Sequence, residues 1–526
     1  MKRQLLISSL LGGLSLTMAV GLLGSSAWLI AMASTQPPIL VLQVAIVSVR
    51  FFGLSRGVFR YGERVLSHDA ILKAQSQLQV LTYRGLERAI PFRAQKSAAF
   101  FSAIVRDIEL VQDRWLRIYI PWISAAIAGF AGIGAIYFLS HTAGVLIGTL
   151  FLFALFLLPT LTTSLSQRGS EVSYVDEVKI TDQITNISRG FLEARIYGYT
   201  NHLAKSLSNT ENSLAKNEKR IDNGTGAGSA INIFITGGAV IIGFVTSIHD
   251  SLQGTLGAVN ITTLTLLPLM IFDGVGQLPS SFSLLGRIYK AEQGIQEIAS
   301  LPESNVKPKD AKSQVPTHFA LELRNVRARW QEGALLHQPI SALIRPGEPL
   351  LLEGESGVGK SSLALAIVGL LPHEGEILIG GQQIATLNCS EFITLSMQND
   401  HLFNSSIREN IRIGNPNATD DQIYNLLDAL ELTELVNSLP EKLDTIIGTY
   451  GVNFSGGEKQ RIRLARALVR DTPIYILDEP FEFLEKELAE RISEKVNESL
   501  CGKTLIIISH DRLTIRNSVR IKLGVA

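Results

Sequence analysis

Gly354-Glu355-Ser356-Gly357-Val358-Gly359-Lys360-Ser361 fits G-x-x-x-x-G-K-[ST], a spacing that cradles phosphate. Its glycines let successive backbone N–H groups turn toward an anion, and a following helix adds the partial positive charge of its N-terminus. In this pattern Lys360 reaches the β- and γ-phosphates of a nucleotide, the Ser361 hydroxyl holds Mg2+, and the cradle runs on to Ser362. The plain alternative is a glycine-rich turn that happens to contain lysine. An apolar run before it (349–352), read as a strand, and Ser362–Leu371 after it, read as a helix, argue against that. Further parts of a phosphoryl-transfer site follow in order. Ile474–Leu477 reads as a short strand ending in Asp478-Glu479, where Asp478 can hold Mg2+ and Glu479 can act as general base on the attacking water. Leu505–Ser509 reads as another buried strand, ending at His510, which is placed to meet a γ-phosphate. Gln398 follows Leu395-Ser396-Met397 and could contact Mg2+ or water and sense a neighbouring domain. Ser455-Gly456-Gly457-Glu458 opens an amphipathic helix through Leu468 and makes a second anion site. Two phosphate cradles in one domain suggest that two such domains sandwich nucleotide between them.

The rest of the chain must position this machinery. Its 526 residues are 46% hydrophobic and only 18% charged, against about 25% charged in a typical soluble protein. Net charge is zero, so nothing global points to nucleic acid. Cys389 and Cys501 lack metal-ligand neighbours and read as reduced thiols. The missing charge is missing from the N-terminal part. Leu5–Met32, Ile39–Phe59, Ile118–Leu139, Ala143–Leu161, Ala230–Ile248 and Ile261–Leu278 are apolar stretches, each near the ~20 residues that cross a bilayer. The first is longer than a signal-peptide core and further spans follow it, so it is expected to be retained. The short connections Ser34–Pro38, Ser140–Thr142 and His249–Asn260 contain no Lys or Arg, whereas Arg60–Arg117 and Thr162–Ser229 are rich in both. That bias places the N-terminus, both long connections and everything after the sixth span in the cytoplasm. The long connections carry helix-like spacing and should extend the spans into the cytosol, with short contact helices at Ala98–Val111 and Ile187–Tyr199.

Charges near membrane depth are costly. Arg56, Arg60, Arg64 and His68 recur every four residues, and at about 40° of rotation per step they share one face of a helix. Interfacial snorkelling is one reading. The other is a basic stripe, with Tyr61 beside it and Asp273 in the sixth span, facing a cavity that receives a small anionic cargo. Residues 301–318 are Pro-, Lys- and Asp-rich and read as a linker between a membrane domain (1–300) and a nucleotide-binding domain (319–526).

As a set these motifs resemble the ATP-binding cassette exporters over nearly the whole chain. The resemblance implies a multi-domain fold: a six-helix transmembrane domain of the exporter type, then an α/β P-loop nucleotide-binding domain. Gly354–Ser361 is similar to the Walker A motif, Gln398 to the Q-loop, Ser455–Glu458 to the signature, Asp478 and Glu479 to the Walker B pair and His510 to the switch histidine. Trp330 looks like the aromatic that stacks on adenine, and 98–111 and 187–199 resemble the coupling helices that dock on cassettes. Three departures stand out. Phe454 replaces the usual leucine of the signature, Glu482-Phe483-Leu484-Glu485 ends in Glu485 where the D-loop has aspartate, and Gly448-Thr449-Tyr450-Gly451 lacks the expected glutamate. Gly21–Ile30, Arg60–Ala70 and Asp478-Glu479-Pro480 with Glu482 and Leu484 resemble the CydC-type subunit of the heterodimeric exporter needed for cytochrome bd assembly. That family implies ATP and Mg2+ as cofactors, a CydD-type partner half-transporter, a bacterial inner membrane, and haem or a small thiol (glutathione, cysteine) as cargo. It makes His68 a candidate haem ligand, with Arg60 or Arg64 pairing propionates. A homodimeric lipid or drug exporter and a cassette ATPase without transport are the alternatives.

Overall fold

A run of apolar residues in a bilayer must satisfy its backbone internally, so it folds as a helix. The computed structural model describes residues 2–88, 106–300, 316–330, 333, 335–448, 451–510 and 518–524. Among these, six helices are long and apolar enough to cross a membrane. They are α1 (Lys2–Ala33), α2 (Ile39–Arg88), α3 (Ile108–Leu139, with a π-helical stretch at Arg114–Tyr119), α4 (His141–Arg189), α6 (Thr200–Leu252) and α7 (Val259–Gly276). Between α4 and α6 lies α5 (Phe191–Ile196), and α8 (Leu278–Phe282) and α9 (Leu285–Ala299) follow α7. Helices α2, α4 and α6 have 50, 49 and 53 residues. At 1.5 Å per residue that is about 75 Å each, more than twice the roughly 30 Å of a hydrocarbon core. About half of each helix therefore leaves the membrane, as the two long polar connections lead one to expect.

Small residues let the spans approach closely. Along α4 and α6, Gly224 faces Ser166, Gly228 faces Thr162, and Gly169 faces the Asn217 carbonyl. Gly129 on α3 faces the buried ring of Phe151, whose edge also meets Phe130 and Phe272 at 6.0 Å. Helices α1 and α2 are joined by hydroxyls: Ser8 Oγ donates to the Glu63 carbonyl (3.3 Å) and Ser15 Oγ to the Arg56 carbonyl (3.1 Å). The polar halves are bound by charge. Arg287 pairs with Glu177 (2.9 Å) and Glu218 (3.5 Å), Arg106 with Glu177 (3.3 Å), and Arg114 with Glu292 (2.6 Å). Asp107, which accepts from the Tyr174 hydroxyl at 2.8 Å, is pushed up to about 6 by burial.

The chain divides into two compact units. The second holds an antiparallel sheet of β1 (Leu321–Ala328), β2 (Ile340–Ile344), β4 (His373–Ile379) and β5 (Gln382–Gln383), in the order β2-β1-β4-β5. Its other large sheet is parallel, in the order β11-β3-β10-β9-β6. The strands are β3 (Leu350–Gly354), β6 (Ile393–Ser396), β9 (Ile474–Asp478), β10 (Thr504–Ser509) and β11 (Val519–Leu523). Strands β7 (Ser405–Ser406) and β8 (Ile446–Ile447) pair alone. A parallel sheet is covered on both faces, so its strands are apolar throughout. Leu350, Leu352, Ile474, Ile476, Ile506 and Ile508 enter one core, which includes α10 (Lys360–Ile367). Leu351, Tyr475, Leu477, Leu505 and Ile507 enter the other, with α15 (Gly456–Leu468) and α16 (Lys486–Ser499). The helices α11 (Cys389–Phe392), α12 (Ile407–Arg412), α13 (Asp420–Ala429) and α14 (Thr433–Ser438) complete this unit.

Some expectations shift at their edges. The second contact helix is α5, shorter than 187–199, because 187–189 still belong to α4 and Gly198 turns the chain at φ 67°. Residues 98–105 of the first contact helix, 301–315 of the linker, and Thr449-Tyr450 lie outside the described residues. A Cβ at Gly129 would enter the Phe151 ring, whereas nothing lies within 4 Å of one at Gly134. Gly129→Ala should therefore destabilise the purified protein by about 1–3 kcal/mol through overpacking, and Gly134→Ala should not. Thermal unfolding in detergent checks this, and equal melting temperatures would remove the contact as a packing constraint.

Candidate nucleotide-binding site

The glycine-rich loop connects β3 to α10, so a strand end and a helix start share one edge of the parallel sheet. Gly357 (φ 84°) and Gly359 (φ 106°) occupy the left-handed region that L side chains avoid. A Cβ at Gly359 would also approach Leu336 to 3.0 Å. Lys360 folds back beneath the loop and donates from Nζ to the carbonyls of Gly354 (2.8 Å) and Glu355 (3.1 Å). Its charge is thereby held under the turn, while Glu355, Ser356 and Gly357 remain exposed. Ser362, expected within the phosphate cradle, is buried and accepts from Trp330 Nε1 at 3.1 Å. Its hydroxyl thus anchors the candidate adenine-stacking ring. Val358 points into the core.

Asp478 is the last residue of β9 and is 2% exposed. Burial raises its carboxyl above the usual carboxylate range, against a hydrogen bond with Ser361. Glu479 adds to the rise, Lys360 opposes it, and Glu482 adds again. The Asp478 Oδ2 atom is buried with no hydrogen-bond partner among the described residues. Glu479 follows in a left-handed conformation (φ 49°) that its N–H bond to the Ile508 carbonyl (2.9 Å) helps to hold. Its carboxylate meets His510 twice: Oε1 lies 2.9 Å from Nδ1, and Oε2 accepts from the backbone N–H at 3.3 Å. The Glu479 carbonyl accepts from Gln460 Nε2 at 3.1 Å. Gln460 is buried on α15 and was not singled out in the sequence, although it sits two residues after the signature. Gln398 donates from Nε2 to Glu482 Oε2 at 2.8 Å, a pairing that no spacing rule exposes.

Ser455 is the N-cap of α15 and forms a capping box with Glu458: Glu458 N donates to Ser455 Oγ (3.3 Å) and Ser455 N to Glu458 Oε2 (2.7 Å). Glu458 is thus committed to its own helix, while Ser455 and Gly456 stay exposed at its N-terminus. The departures from the family pattern find physical places. Phe454 is buried in the helical core. Phe483 (φ 65°) lies across the signature, since a Cβ on Gly456 would come within 3.3 Å of its ring and one on Gly457 within 2.8 Å of its carbonyl. Glu485 is the N-cap of α16, without a side-chain capping bond.

In the membrane unit, Arg60, Tyr61, Arg64 and His68 are exposed on α2, Arg56 is half-buried there, and Asp273 is exposed on α7. Among the described residues, Arg56, Arg60, Arg64, His68 and Asp273 make no ion pair or side-chain hydrogen bond. Helix α2 buries 6% of its apolar window, against 22–39% for the other spans. Both cysteines are free, and no group of His, Cys, Asp and Glu among the described residues could by itself hold a metal ion.

Residues 337–482 match the ABC transporter family model. Over 522 residues the chain is 30% identical to the glutathione/L-cysteine transport system ATP-binding/permease protein CydD of Bacillus subtilis, covering 95% of this chain and 88% of that one. It is 26% identical over 524 residues to the corresponding CydC of Escherichia coli, covering 97% and 90%. The fold is that of a bacterial Atm1-family ABC exporter with ATP bound, with a TM-score of 0.84 at 17% identity over 100% of this chain and 95% of that one. With six apolar helices ahead of the cassette, a cassette ATPase without transport is excluded. The chain belongs to the ATP-binding cassette exporters of the CydC/CydD type, multi-pass membrane proteins whose cassettes hydrolyse ATP to drive transport.

Proposed function

We propose that this chain is the CydC-like half of a heterodimer in a bacterial inner membrane, exporting a small thiol in support of cytochrome bd assembly. One observation carries the reading: the similarity extends end to end to relatives named for glutathione and L-cysteine transport. The CydC-like assignment within that pair follows Gly21–Ile30, Arg60–Ala70 and Glu482. The N-terminus and cassette are cytoplasmic by the Lys and Arg bias of the connections. The exposed apolar side chains of α5 (Phe191, Leu192, Ile196) are consistent with the coupling helix that the resemblance implies. A CydD-like partner supplies the second P-loop and signature, so that each chain's signature closes over nucleotide held by the other's P-loop. A homodimeric lipid exporter is the competing reading, favoured by 32% identity over 304 residues to the ATP-dependent lipid A-core flippase of Syntrophus aciditrophicus. Purification from the native membrane should yield a second, non-identical cassette subunit, and recovery of this chain alone as a homodimer would sink the heterodimer.

At the site, Gly354–Ser361 cradles the phosphates, with Lys360 leaving its loop carbonyls for them, and Trp330 stacks on the base. Ser361, Asp478 and Gln398 would hold Mg2+, and the donor set fits. It consists of hard oxygens, and the orphaned Oδ2 of Asp478 is a buried anion waiting for a cation. Bound Mg2+ neutralises charge on the β- and γ-phosphates. Glu479 takes the proton of the attacking water while His510 holds its carboxylate in place. Glu479→Gln should lower ATP turnover by about 10²–10⁴-fold with nucleotide binding retained. Unchanged hydrolysis, measured with the partner's own site silenced, removes Glu479 as base. Because burial raises Asp478, its charge costs stability at neutral pH until a cation arrives, and the cost is relieved as pH falls. Mg2+-nucleotide at a hundredfold its Kd should stabilise the protein by about 2.7 kcal/mol. Asp478→Asn should abolish the Mg2+-dependent part of that gain. A melting shift that survives the substitution would exclude Asp478 from metal binding.

The α2 stripe (Arg56, Arg60, Tyr61, Arg64, His68), with Asp273 opposite in charge, is the candidate cargo face for an anionic or zwitterionic molecule. Haem is the second cargo reading, favoured by an exposed imidazole beside arginines that make no ion pair among the described residues. Adding haem to the purified protein should then give a Soret band that His68→Ala weakens, and no spectral change would exclude haem.

A further inference from the structure

Glu482 has no task in the reaction as described. It lies in the turn after β9, where its N–H bonds back to the Glu479 carbonyl at 3.3 Å. Its Oε2 accepts from Gln398 Nε2 at 2.8 Å, and both side chains are half-buried. An ionised carboxylate can only accept hydrogen bonds, whereas an amide offers donors at one end and an acceptor at the other. Glu482 therefore selects the NH2 end of Gln398 and turns its oxygen to the opposite side. A hydroxyl at position 482 could donate or accept and would leave the amide free to flip.

The rest of Gln398 is wired to the same segment. Its backbone carbonyl accepts from Arg463 Nη1 (3.5 Å), Arg463 donates to Gln460 Oε1 (3.1 Å), and Gln460 donates to the Glu479 carbonyl (3.1 Å). A closed ring of contacts thus runs Gln398–Glu482–Glu479–Gln460–Arg463–Gln398. We propose that Glu482 is a positioning residue for the ATPase site, fixing the Gln398 amide with its oxygen free for Mg2+ or for a water bound to it. This rests on the proposed metal-binding role of Gln398. Groups that orient a metal ligand from behind typically change metal affinity by about 10–100-fold when removed.

The test is a titration of Mg2+ into the purified full transporter at a fixed concentration of a fluorescent ATP analogue, following binding rather than turnover. Glu482→Leu should raise the Mg2+ midpoint about tenfold or more, with analogue affinity in EDTA unchanged. Glu482→Gln keeps a carbonyl acceptor but adds an NH2 donor, so it fixes the Gln398 amide only part of the time and its midpoint should rise by less than that of Glu482→Leu. Gln398→Ala should raise the midpoint, and adding Glu482→Leu to it should do nothing more. An unshifted Glu482→Leu protein overturns the proposal. So does a Glu482→Gln protein as impaired as Glu482→Leu, which would make Glu482 a charge near the metal and not an orienter. An additive double variant also overturns it. If Gln398→Ala leaves the midpoint unchanged, the metal role of Gln398 falls first; if it shifts and Glu482→Leu does not, only the positioning role falls. A matching melting temperature for Glu482→Gln without nucleotide shows that the fold is intact.

Discussion

Asp478 and Glu479 stand side by side at the end of β9, 2% and 7% exposed. Two adjacent carboxylates taken out of water lose hydration and repel each other, which costs several kcal/mol unless donors and cations surround them. The cassette is arranged to supply these. Ser361 and Lys360 come from the start of α10, and His510 follows the end of β10. The parallel order β3-β10-β9 brings the carboxyl ends of those strands to a single edge, the edge where open α/β sheets bind ligands. One oxygen of Asp478 is left over, and the same anionic surplus that burdens the nucleotide-free protein is what a divalent cation would relieve.

Strain and self-bonding complete this picture. Glu479 adopts φ 49° although it is not glycine, a conformation that costs about 1–2 kcal/mol and is held by the Ile508 carbonyl and the two contacts with His510. Lys360 occupies itself with two carbonyls of its own loop. Each catalytic candidate is thus kept near its post by contacts that phosphate or water can replace.

The membrane unit solves a different problem with the same physics. Along its long helices, glycines bring backbones together and hydroxyls bond to carbonyls of a neighbouring helix. In the polar halves, the Arg287–Glu177–Arg106 network does that work with charge, because there water can screen what lipid cannot. Helix α2 is the exception: it buries little of its apolar span, and among the described residues its arginine stripe makes no ion pair.

The sequence by itself determined a good deal. Six spans, a P-loop between strand and helix, and Asp478-Glu479 at a strand end are local patterns: twenty apolar residues, spaced glycines, and a polar pair closing an apolar run. Each follows from backbone satisfaction or phosphate geometry within a short window, so it was legible. What no window contains is which distant side chains meet. The bonds of Gln398 with Glu482, Gln460 with the Glu479 carbonyl, and Trp330 with Ser362 join residues 84, 19 and 32 positions apart. They exist only because β6, β9 and β10 lie parallel with α10 and α15 against them. Ser362, read as phosphate cradle, also anchors Trp330, and Glu482, read only as a mark of resemblance, faces the candidate metal ligand. Hydrogen-bond partners are chosen by which groups burial brings together, and burial is a property of the folded chain.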